Sequence, residues 1–504
     1  MTHLDGEKPR RVVPRWRYSF GTIFSAEHSG LGPARILAPC ATVELRQAKQ
    51  RFDSDRNVIT AADLVACAVA YFEKPEAQAA AEFLLRRRTE LKEEVIKQAE
   101  WVQRPDAHGA QGIGPMAQGS FEESAQVAGR VIAARRRQIQ RWQYDAIAWL
   151  DLARAYAVLG LLPQSERAMK VALQLAPDHR VVLRLSARLA LHTGRLDDAY
   201  HQIARHRRTP HDPWLISAEI SFAQIVGRKS RFTREAKSIL SGGKYSPAHT
   251  SELAGALATL ELAAGKHRVA RARYGESLRD PTENAVAQAV WAGRTDSSIV
   301  VPAAALELPG SFEANYRRAR RTGDWTRALE FAREWLLDEP YSSGPAIIGS
   351  SLASMAVNDC ATAEAFARAG LKADPTEHVL LNNLAVALAR QNRLPEANAA
   401  FSRISRPFRN GHQNYVDNAT RGLLAFRAGE LDAGRQAYAK SDIEAPDPDT
   451  RRLVLLHWAR EEKAFDHERY LRLIERSNPE PGKAYDPLIE SLRRLVTASP
   501  SAAA

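Results

Sequence analysis

The chain is poor in sulfur, with three cysteines and four methionines in 504 residues. Cys40, Cys67 and Cys360 lie too far apart for a disulfide framework or a clustered metal-ligand set, which fits a reducing compartment. No stretch reaches the roughly 18 apolar residues of a membrane span. The N-terminus, MTHLDGEKPRRVVPRWRYSF, has basic residues but lacks the apolar run of a signal peptide. A soluble, cytoplasmic protein with no membrane partner is expected. Catalytic signatures are absent too: there is no HExxH, no GxSxG and no glycine-rich loop ending in GK[ST]. The glycines of HGAQGIGPMAQGS, His108 to Ser120, lack the lysine–hydroxyl pair of a phosphate loop and follow no strand, so they predict a flexible linker. His201, His206 and His211 step by five and spread around a helix, with Pro210 and Pro213 placing His211 in a loop, so no metal site is expected. Asp197 and Asp198 follow Gly194 as ordinary helix-start residues. No enzyme, cofactor or metal follows from these residues.

What remains is length, charge and periodicity. A chain of 504 residues exceeds one ordinary core and predicts several domains or a repeat array. The net charge is +12. Such a balance suits nucleic acid or an acidic partner, but arginine alternates with Asp and Glu over most of the chain, as on a solvated surface.

The stretch WLDLARAYAVLG places Trp149, Leu152, Ala153 and Tyr156 at i, i+3, i+4 and i+7, one face of a helix that Gly160 ends. A second helix follows, with Ser165 small, Met169 bulky, then Ala172, and Pro177 closing it. The hairpin recurs 34 residues on: Leu183, Gly194, Leu196 and Ala199 stand where Trp149, Gly160, Leu162 and Ser165 stood. Further copies carry Ala236; Ala270 and Tyr274; Gly323, Trp325, Ala328 and Pro340; and Ala363 and Pro375. Leu384, Ala385, Leu394, Ala397 and Phe401 form the next, and Gly422, Gly429, Leu431 and Tyr438 another, shifted by three through a loop at Arg406–Asn414. Ala68, Tyr71, Ala77 and Leu84 suggest one more upstream. In all, eight or nine hairpins are expected between about residues 58 and 450.

This pattern resembles the tetratricopeptide repeat (TPR) family, with Ala153 where glycine is commoner and Ser165 where alanine is. The resemblance implies an all-α, right-handed superhelical solenoid of stacked helix-turn-helix repeats, here in two sub-arrays. The expected layout is an extended segment at 1–57; a hairpin, linker and basic helix at 58–145; arrays at 146–300 and 301–448; and capping helices with a short disordered tail at 449–504. TDSSIVVPAAALELPG interrupts the pattern with Pro302 and Pro309 near the junction.

TPR proteins commonly bind peptides or partner proteins on the concave face lined by the first helices. Here that face carries Arg154, Arg184, Arg188, Arg317, Arg321, Asn382, Arg390 and Arg427. The lysine and asparagine set with which chaperone-binding members hold a terminal carboxylate is not matched. Arginine pairs bidentately with carboxylate or phosphate, so an acidic protein or peptide is the expected partner of a non-catalytic adaptor. Trp16, Tyr18 and Phe20 alternate with polar residues, as in an extended strap packed on the first helices or a segment docked to a partner. The alternative function is nucleic-acid binding by the helix VAGRVIAARRRQIQRWQYD, through Arg130, Arg135, Arg136, Arg137 and Arg141.

Overall fold

The computed structural model describes residues 10–16, 38–71, 77–91, 93–103, 121–404, 414–478 and 486–498. Tyr18, Phe20, the glycine-rich stretch and the loop 405–413 lie outside them, as does the side chain of Arg141. Every regular element among the described residues is a helix. The chain divides into two units, residues 11–284 and residues 285–504 together with 1–10.

The first unit opens with α1 (Ala38–Ser54), α2 (Val58–Tyr71), α3 (Gln78–Leu85) and α4 (Glu93–Gln103) around one core, then the long α5 (Phe121–Arg141). The N-terminal segment expected to stay extended to residue 57 therefore contains α1, whose Leu45, Ala48 and Phe52 bury one helical stripe against α2. Hairpins follow: α6 (Ala146–Val158) with α7 (Leu162–Leu175), α8 (Arg180–His192) with α9 (Leu196–Ala204), α10 (Pro213–Ile225) with α11 (Thr233–Ser241), and α12 (Pro247–Ala263) with α13 (His267–Ser277). The first helices of successive hairpins touch one another, α6 on α8, α8 on α10 and α10 on α12. The division between units falls inside α14 (Glu283–Ala292).

The second unit continues through the short α15 (Ala303–Leu306) to α16 (Phe312–Thr322) with α17 (Trp325–Asp338), and α18 (Ser343–Leu352) with α19 (Cys360–Ala373). Then come α20 (His378–Arg390) with α21 (Leu394–Ser402), and α22 (Asn414–Ala428) with α23 (Leu431–Glu444). The residues assigned to a cap include one more hairpin, α24 (Pro448–Glu462) with α25 (His467–Arg476), before α26 (Pro487–Thr497). The first helices again adjoin, α18 on α20, α20 on α22 and α22 on α24.

The small residues of the repeat are the reason the helices can approach. Ser165, Ala199, Ala236, Ala270, Ala328, Ala363 and Ala397 are all fully buried. Ser165 also satisfies itself, donating from Oγ to the Ala153 carbonyl at 2.7 Å. Trp149 is only half-buried, with its Nε1 donating to the Gln143 carbonyl, so it contributes less than a fully buried indole. First helices end in left-handed residues: Gly160, Gly194 and Gly429 in some hairpins, Asn358 and Asn392 in others, since asparagine is the side chain that best tolerates this region.

N-caps set the register. Asp212 accepts from the amides of Trp214 and Leu215 at 3.0 and 3.2 Å, and from Arg180 Nε at 2.8 Å. Asp212→Ala is expected to cost about 2 kcal/mol, since a lost cap costs about 1 and the half-buried Arg180 loses its partner as well. Urea unfolding with an unchanged midpoint would show that the cap is dispensable.

Candidate ligand-binding site

The groove of the first unit is lined by α6, α10, α12 and the start of α14, and the chain itself fills it. In residues 11–16, Val12 and Trp16 are each 1% exposed. Ser221 Oγ donates to the Val12 carbonyl (2.9 Å), Asn284 Nδ2 to that of Val13 (2.9 Å) and Arg154 Nε to that of Trp16 (3.1 Å). Arg154 is thus buried beneath the strap. Arg184 pairs with Glu252 and lies 4.7 Å over the Trp214 ring; Arg188 is half-buried and engaged. Burial pushes the Glu252 carboxyl up, and Arg184 opposes that shift.

In the second unit Arg10 forks onto Glu313 with two 2.7 Å bonds, and Arg317 joins the same carboxylate at 3.0 Å. Arg321 is exposed and, with Arg294, Arg317 and Arg320, borders a cavity of about 90 Å³ beside Asp486.

A second cavity, of about 40 Å³, opens on the first helices α18, α20, α22 and α24. Its walls include Ser354, Asn383, Arg390, Thr420, Tyr438 and His457. Ser354 stands on a π-helical turn, Ala353–Val357, that prolongs α18, a local widening frequent at functional sites. Arg390 Nη1 donates to Ser354 Oγ (3.0 Å) and its Nη2 meets His457 Nδ1 at 2.7 Å. Arginine can only donate, so Nδ1 accepts and the imidazole proton sits on Nε2. Burial, with Arg390 and Arg460 nearby, holds the His457 pKa well below its ordinary value. The charge of Arg390, then burial, lowers Arg460 to about 10, against the pull of Glu461. Arg427 pairs with Glu461 at 3.0 Å. Burial, then the charge of Glu461, raises Tyr438.

Arg390 lines this cavity, and the charges of Arg460, Glu461 and Arg427 lie near it outside the wall. Arg390 Nε, Arg460 Nη1 and Glu461 Oε1 are buried without a hydrogen-bond partner. Unpaired buried donors of a cation are costly, and an anion placed among them removes that cost.

Of the residues expected on the concave face, the structure places Arg390 in the wall of this cavity, with Arg427 held outside it by Glu461. Asn382 is buried one position away, accepting from Thr420 at 2.7 Å. His457, Arg460 and Glu461 were not anticipated, because HWAREE was assigned to a cap. A signal was present: Arg390, Arg427 and Arg460 each occupy the last turn of the first helix in successive hairpins, where the helix dipole favours cations.

The basic helix α5 is differently placed. Arg135 pairs with the buried Asp151 at 2.8 Å, Arg136 Nε donates to Tyr156 Oη at 3.0 Å, Arg137 lies 3.5 Å from Asp63, and Arg130 is half-buried and engaged. Among the described residues no group of three or more His, Cys, Asp or Glu could hold a metal ion, and no helix is long and apolar enough to cross a membrane.

No protein-family model matches the chain, and no curated protein does. Among solved structures, that of the APC/C hetero-tetramer Cut9-Hcn1 is 10% identical, with 92% of this chain and 94% of that one covered and a TM-score of 0.38. The structure of Naa15/Naa10 bound to HypK-THB is 14% identical, with 91% and 73% covered and a TM-score of 0.26. At these scores neither likeness carries a functional argument.

Proposed function

We propose that the protein is a cytoplasmic, TPR-like adaptor without chemistry of its own. It holds an acidic segment of a partner protein in the cavity between α18, α20, α22 and α24. The observation that carries this reading is the buried, unpaired Nε of Arg390, the one charged side chain among the residues that line the cavity, next to a neutral His457. A carboxylate side chain would pair with Arg390 there, and Tyr438, Met355 and Leu423 supply apolar wall beside it. For the alternative, nucleic-acid binding through α5, the arginines Arg135, Arg136 and Arg137 already have acidic or aromatic partners within the protein.

The test is fluorescence anisotropy with a labelled glutamate-rich octapeptide and its glutamine counterpart. The acidic peptide is expected to bind at least about tenfold more tightly, and Arg390→Gln to weaken it by about 10- to 100-fold, the worth of a charged hydrogen bond. Arg390→Lys should fall between. Equal affinity for the two peptides, or an unchanged affinity in Arg390→Gln, would remove the cavity as the site. Binding of single-stranded RNA that is abolished by replacing Arg135, Arg136 and Arg137 with glutamine would favour the alternative instead.

A further inference from the structure

The filled groove of the first unit holds its strap as a receptor holds a peptide. The carbonyls of Val12, Val13 and Trp16 are taken by side chains of three different helices, Ser221 on α10, Asn284 on α14 and Arg154 on α6. Backbone carbonyls carry no side-chain identity, so these donors would hold any extended chain laid along the groove. Selectivity comes from what the groove buries: Val12 among Ile216, Ile220, Leu253 and Leu257, then Pro14, then Trp16. The charge of Arg15 acts on the buried Glu252. The surrounding helices bond their own backbones, so none of them loses a backbone hydrogen bond when the strap departs.

We propose that this groove is a binding site for an extended segment of a partner protein. That segment has a β-branched residue, a proline two positions on and an aromatic four positions on, the pattern of Val12, Pro14 and Trp16. Residues 11–16 occupy the site in cis as a competing ligand. A tethered segment acts at an effective concentration of about millimolar, so a free ligand of equal intrinsic affinity gains the groove only when the strap is loosened or the ligand binds better. The site is separate from the Arg390 cavity and stands or falls without it.

The experiment uses a fluorescein-labelled peptide with the sequence of residues 10–16 and the full chain carrying Val12→Ala and Trp16→Ala. The loosened chain is expected to bind the peptide at least about tenfold more tightly than the wild type does, and adding Ser221→Ala and Asn284→Ala should reverse the gain. A loosened chain that keeps its helicity and does not bind the peptide overturns the proposal. If that variant fails to fold, native-state hydrogen exchange of the wild type decides. Exchange of the amides of residues 11–16 at least about tenfold faster than those of α10 and α12 supports an exchangeable strap. Exchange only through global unfolding overturns it, because the segment is then part of the core.

Discussion

Gly349→Ala is expected to destabilise the second unit by about 2–3 kcal/mol, although the same change in an exposed helix interior stabilises. A Cβ at this position of α18 would stand 2.2 Å from Cε1 and 2.3 Å from Cδ1 of Phe366 on α19. Phe366 is 1% exposed and closely packed, so the ring can yield only by pushing its neighbours or parting the two helices. Helix propensity would return about 1 kcal/mol, too little to offset that overpacking. Gly129, exposed on α5 with nothing within 4 Å of where a Cβ would stand, is the control. There alanine should gain about 0.5–1 kcal/mol. Urea midpoints at constant m-value measure both. A neutral or stabilising Gly349→Ala would mean that the α18–α19 seam is looser than described.

Glu462→Gln is expected to cost about 2 kcal/mol at neutral pH, with the deficit vanishing in acid. The Glu462 side chain is fully buried and accepts from Arg435 Nε (2.8 Å) and Nη2 (3.0 Å), Trp458 Nε1 (3.2 Å) and Arg469 Nη1 (3.3 Å). Burial by itself would raise this carboxyl, but the bonds from Arg435, Trp458 and Arg469 and the charge of Arg435 hold it below its ordinary value. A carboxylate depressed in the folded state stabilises fully above its unfolded pKa of about 4.3, and that contribution disappears as pH falls through the lower folded pKa. Arg435 is raised by the same pair and stays charged throughout. Wild type and variant should therefore differ at pH 7 and converge in acid, as pH falls below the unfolded carboxylate value of about 4.3 and through the lower folded one. Because Arg435 and Arg469 remain a quarter to a third exposed, water takes over part of their solvation, which keeps the cost below that of stranding a fully buried cation. An equal deficit at both pH values would show that Glu462 acts by packing alone.

The hairpins were legible because each is written in a few turns of sequence. Ser165 and the alanines in its register fall at full burial, since a small residue at that position is a local requirement of close helix approach. Asn358 and Asn392 stand at two helix ends in place of glycine, and their backbones adopt the same left-handed conformation. Trp16 was legible as an aromatic in an extended segment, but the donors that capture its carbonyl and that of Val12 belong to α6 and α10, far along the chain. Most arginines expected to line an open surface have partners one helical turn, one repeat or two repeats away, Arg317 with Glu313, Arg427 with Glu461 and Arg184 with Glu252, and the repeat pattern of small and bulky residues does not say which of these positions carries the carboxylate. His457 and Arg460 were missed for the same reason, because α24 acquires its role only by lying beside α22.

The amino-acid sequence by itself determined the helices, their ends and the spacing that lets one hairpin stack on the next. Side-chain periodicity and left-handed caps are settled within about two helical turns. Tertiary structure alone decided which charges are neutralised and which are left facing a cavity. An arginine's field acts on whatever lies within a few ångströms of it, and in stacked hairpins those neighbours come from helices a repeat or more away in the chain. Arg390 and Arg427 stand in equivalent last turns, yet Arg427 finds Glu461 while Arg390 finds a neutral imidazole and a serine, so only the charge of Arg390 is left without a carboxylate beside it.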